Sequence, residues 1–305
     1  MTENPFDDLD NEELYERWKS RKLDGYPERI EDLIVPVNDP LRLTETERGE
    51  LLSRIAKANM AIYQSGAGTT PDKRIPIAVM RQLGAVMIDK NPEADEEGVT
   101  SLSPKGGSGL SESVYEYIPY SARAIHWHTD GYYNATDRQV RSLALHCVRQ
   151  AAEGGENELM DHEIMYMLLR DEDPGHIRAL MEPDVMIIPA RVEKGKIVRP
   201  ERAGPVFSVC DDGRLHMRYT HRTRSVVWKN SAPARAAVES LRKRLAEPSP
   251  YVFRGKLMPG WGLVCSNVLH TRSAFTPSAS DDTSRLLYRV RFYDRVGAPD
   301  HIRGR

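Results

Sequence analysis

Cysteine is scarce in this chain: there are three, Cys147, Cys210 and Cys265, among 305 residues. Their odd number and wide spacing leave no CxxC pair, which argues against a disulfide framework and against a cysteine-built zinc knot. Long apolar runs are missing too, since none approaches the roughly 18 residues that a membrane-spanning helix needs. The opening residues Met1 to Asp8 lack the basic and apolar regions of a secretory leader. A soluble, cytoplasmic protein is the expectation, with no membrane partner. An excess of one charge is also absent: 43 basic residues stand against 45 acidic ones, a formal net charge of -2. No general basic field exists to attract nucleic acid. With 40% hydrophobic residues, the chain can bury one large core carrying an appendage.

The pattern changes along the chain. Residues 1–95 read as a mainly helical N-terminal region packed against the remainder of the chain. Leu14, Tyr15 and Trp18 share one helical face, and Thr44-Glu45-Thr46-Glu47 reads as a capping box ahead of Leu51, Leu52, Ile55 and Ile62. A third helical piece is expected from Ile77 to Met87. The Gly- and Ser-rich stretch from Ser101 to Glu112 reads as an exposed loop. Residues 96–305 are expected to form the main domain, with inserted helices. There, short β-like runs alternate with turn signals: 142–148, 158–160, 186–190, 206–209, 215–220, 251–257, 263–265 and 285–293. Asp211-Asp212-Gly213 marks a hairpin turn, and helices are expected at 162–170 and 234–246. Such spacing predicts a mainly β fold with flanking helices (α+β), a sandwich or barrel.

Chemistry concentrates in Trp127-His128-Thr129-Asp130-Gly131. Residues two apart on an extended strand project from the same face, so His128 and Asp130 can grip one ion. His270, ending one strand-like run and preceding another, is the best third ligand. Two histidines and one carboxylate on one octahedral face leave three positions open, as a non-heme Fe(II) oxygenase requires for a bidentate cosubstrate and dioxygen. The last strand alternates: Arg285, Leu287, Arg289, Arg291 and Tyr293 on one face, Leu286, Tyr288, Val290 and Phe292 on the other. A guanidinium fork matches a carboxylate, so one of these arginines can anchor a dicarboxylic cosubstrate. An exposed basic edge is the competing reading.

These segments resemble the TauD/TfdA family of Fe(II)/2-oxoglutarate-dependent dioxygenases. The likeness runs from about Tyr117 to Asp294 and includes Glu153-Gly154-Gly155-Glu156-Asn157, Leu269-His270-Thr271-Arg272-Ser273-Ala274-Phe275 and Arg285-Leu286-Leu287-Tyr288-Arg289. It implies a double-stranded β-helix (jelly roll, cupin-like), with His128, Asp130 and His270 as iron ligands and Arg285 on the distal carboxylate of 2-oxoglutarate. Asn157 stands where members often carry Thr or Ser, and its amide can still donate to a carboxylate. Arg289 matches a position that touches anionic substrates in some relatives, and the choice between Arg285 and Arg289 for the cosubstrate stays open. Because Asp130 is present, the resemblance favours hydroxylation over halogenation.

The implied activity is oxygenation of a small, anionic organic molecule, with Fe(II), 2-oxoglutarate and dioxygen as cofactor and cosubstrates and with succinate and CO2 as products. Desaturation, oxidative bond cleavage, action on a protein side chain and a non-catalytic metal-binding sensor are the alternatives. Arg289, Arg291, Tyr132 and Tyr133 are the candidate substrate contacts. A homo-oligomer is left open. His146 reads as a core residue, His162, His176 and His301 as solvent-facing. The basic run Arg218, Thr220, Arg222 and Arg224 reads as a solvated face by default.

Overall fold

The computed structural model describes residues 4–66, 70–104, 120–223, 226–277 and 284–297. The expected loop beyond Pro104, Arg224 and His301 lie outside them. The chain divides into two compact units.

One unit comprises residues 27–126, 140–159 and 253–305. Its strands are β1 (Ile34–Val37), β2 (Met60–Ser65), β3 (Val99–Leu102), β4 (Ile125–His128), β5 (Ser142–Arg149), β6 (Asn157–Met160), β14 (Phe253–Gly255), β15 (Trp261–Cys265), β16 (Leu269–Arg272) and β17 (Leu286–Phe292). They form a six-stranded sheet ordered β1-β2-β15-β5-β17-β3 and a four-stranded sheet ordered β14-β6-β16-β4. Strand β17 is an interior strand, antiparallel to both β5 and β3. Its two faces are therefore both candidates for burial, and Leu287, Tyr288, Val290, Arg291 and Phe292 are all buried. The arginine side of the strand is not the open edge that alternation alone permits.

The N-terminal stretch contains strands as well as helices. Helix α2 (Glu45–Ala58) starts where expected: Thr44 Oγ1 accepts from the Glu47 backbone N–H, and the Glu47 carboxylate accepts from the Thr44 N–H at 2.7 Å. Leu51, Ile55 and Ala58 form its buried face. The helix ends at Asn59, whose φ of 58° is left-handed, a conformation that a short polar side chain tolerates. Ile62 consequently falls in β2, not in the helix. The expected helix from Ile77 to Met87 begins earlier and stops sooner, at Arg74–Gln82 (α3). Gly84, with φ of 98°, turns the chain, and the Asp294 carboxylate accepts from the Val86 and Met87 N–H groups.

The other unit comprises residues 1–26, 127–139 and 160–252. It holds α1 (Glu12–Leu23), α4 (His162–Glu172), α5 (Pro174–Leu180) and α6 (Ala232–Ala246). Its strands are β7 (Met186–Ile188), β8 (Arg191–Glu193), β9 (Lys196–Arg199), β10 (Arg202–Gly204), β11 (Phe207–Val209), β12 (Leu215–Met217) and β13 (Val227–Trp228). The Asp-Asp-Gly hairpin is present: β11 pairs antiparallel with β12, and Gly213 supplies the positive φ of 78°. Phe6, Trp18 and Tyr166 meet edge to face, which ties the N-terminal arm onto α4. His162 departs from the solvent-facing expectation. It is buried at the start of α4, with Nε2 at 3.0 Å from the Leu215 carbonyl oxygen.

Candidate metal centre and its surroundings

His128, Asp130 and His270 each place one ligand atom so that all three lie within 4.8 Å of one another. The local chain explains each position. His128 ends β4, and its Nε2 is 3.6 Å from Asp130 Oδ1. Between them, the Thr129 N–H donates to the Tyr219 carbonyl at 2.9 Å and Thr129 Oγ1 accepts from the Tyr219 N–H at 3.0 Å. The His221 N–H donates to the Trp127 carbonyl, and Trp127 Nε1 donates to Leu245 O. The ligand-bearing segment is thus clamped along its length by residues 219–221. Gly131, with φ of 66°, reverses the chain directly after Asp130.

His270 lies on β16 and its Nδ1 is 2.9 Å from the Val268 carbonyl oxygen. A carbonyl can only accept, so Nδ1 carries the proton and Nε2 is the nitrogen able to ligate a metal. Asn267 directs the strand into place through a left-handed turn, φ 53°, and donates from Nδ2 to the Val140 carbonyl at 2.7 Å.

The paired glycines have a steric explanation. A Cβ on Gly154 would lie 2.1 Å from the Ala274 carbonyl oxygen, and both glycines adopt positive φ. The chain at Gly154 therefore passes directly against Ala274 and Phe275. A Cβ on Gly155 would lie 3.5 Å from Arg285 Nε, so the second glycine borders the guanidinium. Asn157 donates from Nδ2 to the Thr271 carbonyl at 2.8 Å, which ties β6 to β16 beside His270 and engages the amide nitrogen expected to meet a carboxylate.

Arg285 is buried, 6% exposed, with its Cζ 5.3 Å from the Phe275 ring centroid. Burial pushes its guanidinium down to about 10. Arg272 approaches the same ring at 4.9 Å and donates from Nη2 to the Ser121 and Arg123 carbonyls. Burial first, and Arg285 second, push Arg272 down to about 9. Arg291 has different surroundings: Nη2 sits 2.6 Å from Asp89 Oδ2, and both side chains are buried. Asp89 is the partner; Asp281 and Asp282, nearer in the sequence, lie outside the described residues. Arg289 is half-buried.

Tyr132 and Tyr133 pack edge to face with centroids 5.3 Å apart. Arg218 is not on a solvated face. It is buried, and it donates to the carbonyls of Tyr132, Met186, Gly204 and Arg202. His146 is fully buried with Nδ1 at 2.9 Å from the Tyr63 hydroxyl, and desolvation pushes its imidazole down to about 4.

Residues 34–291 match the model of the taurine catabolism dioxygenase TauD, TfdA family. The chain belongs to this family. Among curated proteins it resembles a uridine-5'-phosphate dioxygenase of Amycolatopsis sp, 31% identical over 170 residues, or 53% of this chain and 60% of that protein. A Streptomyces sp protein of the same name is 31% identical over 127 residues, 42% of this chain and 43% of its own length. The match thus spans less than two thirds of either relative. Among solved structures, the non-heme iron oxygenase OrfP in complex with Fe and alpha-ketoglutaric acid gives a TM-score of 0.61 at 18% identity, covering 84% of this chain and 82% of that one. Asparagine oxygenase in complex with Fe(II), 3-hydroxyasparagine and succinate gives 0.57 at 18% identity, covering 82% and 80%. The fold is that of these oxygenases, the jelly roll expected from the sequence.

Proposed function

We propose that the protein is an Fe(II)- and 2-oxoglutarate-dependent oxygenase that hydroxylates an anionic small molecule. The observation that carries this reading is the donor set itself: two imidazole nitrogens and one carboxylate oxygen within 4.8 Å of one another. Such a set suits Fe(II) and leaves one side of the ion open. When bound, iron with 2-oxoglutarate and dioxygen supplies the oxidation of a C–H bond, with release of succinate and CO2.

The remaining roles fall to this chain's own side chains. The Val268 carbonyl holds the His270 ring in the tautomer that presents Nε2. Arg285, buried against Phe275 and beside Gly155, receives the distal carboxylate of 2-oxoglutarate in a site whose low polarity strengthens the contact. Asn157 supports this arrangement by holding β16, and its second amide hydrogen is the one left for a carboxylate. Tyr132 and Tyr133 wall the substrate side, with Arg289 as a further contact. Arg291 belongs to the frame through Asp89.

An anionic substrate accords with the names of the curated relatives, which act on uridine 5'-phosphate; that nucleotide is the first compound to try. Succinate formation and Fe(II) binding should be measured for wild type and for His128→Ala, Asp130→Ala and His270→Ala. Each variant should lose most iron affinity and turnover while keeping its circular dichroism. A His270→Ala protein with wild-type iron affinity and succinate formation would overturn the assignment.

A further inference from the structure

The tyrosine pair after Asp130 is flanked by basic side chains that have no part in holding iron or 2-oxoglutarate. Arg199, the last residue of β9, holds its guanidinium over the Tyr133 ring, 5.7 Å from the centroid. Its Nη2 donates to the Pro189 carbonyl at 2.8 Å, whereas Nη1 is buried and has no hydrogen-bond partner among the described residues. Arg218, which donates to the Tyr132 carbonyl, has carbonyl oxygens alone as acceptors among the described residues. Carbonyl dipoles satisfy donors without neutralising a charge. Among the described residues neither Arg199 nor Arg218 has a carboxylate at ion-pair distance; nearby Arg191 does, in Glu193.

The electrostatics agree with this geometry. Burial is the main cause that holds Arg199 below the usual guanidinium range; Tyr132 and Tyr133 act against it, and repulsion from Arg191 and Arg202 adds to it. Burial and then Arg199 push Arg218 down to about 10. Gathering cations out of water without a counter-charge is unfavourable, and an arriving anion relieves that cost. The place is also suitable. Tyr132 and Tyr133 follow Asp130 so closely in the chain that their Cα atoms lie within about 7–11 Å of the ligand residue.

We propose that Arg199, backed by Arg202 and Arg218 and walled by Tyr132 and Tyr133, forms the subsite for the anionic end of the substrate, with a phosphomonoester as its ligand. A phosphomonoester matches better than a carboxylate because it brings close to two negative charges and three acceptor oxygens to a cluster with more than one uncompensated guanidinium. The proposal rests on the reading of the protein as an oxygenase of an anionic small molecule. It assigns the anion to the β8–β9 hairpin instead of to β17.

The test is calorimetric titration, without oxygen, of the Fe(II)- and 2-oxoglutarate-loaded protein with uridine 5'-phosphate, uridine and inorganic phosphate. Wild type should bind the nucleotide roughly tenfold or more tightly than the nucleoside, with inorganic phosphate competing. Arg199→Ala should erase that advantage and leave uridine binding unchanged. Arg199→Lys, which keeps the charge, should restore part of it; it also serves as the test variant if the alanine protein does not fold, being then expected to show a reduced advantage. Equal affinity of wild type for nucleotide and nucleoside, absence of binding by either, or a full phosphate advantage in the Arg199 variants overturns the subsite. Titration of 2-oxoglutarate into the same Fe(II)-protein separates the two readings. Its failure counts against the oxygenase assignment, whereas normal 2-oxoglutarate binding without phosphate discrimination counts against the subsite alone.

Discussion

Arg285 directly precedes β17 and Arg291 lies near its other end, with exposures of 6% and 2%, yet their surroundings are opposite. Arg291 meets the Asp89 carboxylate at 2.6 Å. Arg285 has an aromatic ring at 5.3 Å and a glycine at its side, and no carboxylate of the described residues pairs with it. Burial raises the cost of both charges, but among the described residues only Arg291 has a counter-charge beside it. The comparison teaches that burial of an arginine does not by itself distinguish structure from binding. The partner does, because a paired guanidinium is complete and an unpaired one gains from an arriving anion.

The comparison is broken most forcefully at Asp89. Asp89→Ala leaves Arg291 buried without its partner and should destabilise the protein by about 3–5 kcal/mol. Urea unfolding measures this loss, while the 2-oxoglutarate affinity of the folded protein should stay near wild type. If stability is unchanged, Arg291 is not held by this pair. Arg285→Ala should behave inversely. It should weaken 2-oxoglutarate binding by about 2–5 kcal/mol with little loss of stability, and Arg285→Lys should recover part of the affinity because an ammonium lacks the two-pronged fork. Titration of 2-oxoglutarate into the Fe(II)-protein decides. A large effect in Arg289→Ala with none in Arg285→Ala would exchange their roles.

His146 sharpens the comparison from the neighbouring strand, since it pairs with Tyr288 across β5 and β17. Here burial acts on a group that can shed its charge. Desolvation depresses the imidazole from 6.5 to about 4, so the unfolded chain takes up the proton before the folded protein does. The resulting stability is fully present above pH 6.5 and is lost as pH falls toward 4. The integrated effect is on the order of 3 kcal/mol. Urea midpoints measured between pH 7.5 and 4.5 should fall less steeply in His146→Gln, which offers the Tyr63 hydroxyl a partner without titrating. Identical slopes would exclude His146 as the group responsible.

Much was legible where a short spacing carries its own geometry. The two-residue step from His128 to Asp130, the Thr44–Glu47 capping box and the Asp-Asp-Gly turn each depend on neighbours in the chain. So does the helix expected at 234–246, where Ala237, Val238, Leu241 and Leu245 are buried on α6. The glycine pair was recognisable as a motif, but its cause, the approach of Ala274, was not. Periodicity failed at residues 55–62 because one left-handed residue, Asn59, separates two apolar segments that run together in the sequence.

By itself, the sequence determined the β-rich character of residues beyond 95, the chemical types at the metal centre and the resemblance that links them. These follow from residue identity and from spacing along the chain, through strand alternation, turn conformations and ligand chemistry. The tertiary structure alone decided which arginines have counter-charges. Arg291 meets Asp89, Arg218 meets four carbonyls and Arg199 lies over Tyr133. In each case the partner comes from a separate part of the chain, and the energetic meaning of a charge depends on what burial brings beside it.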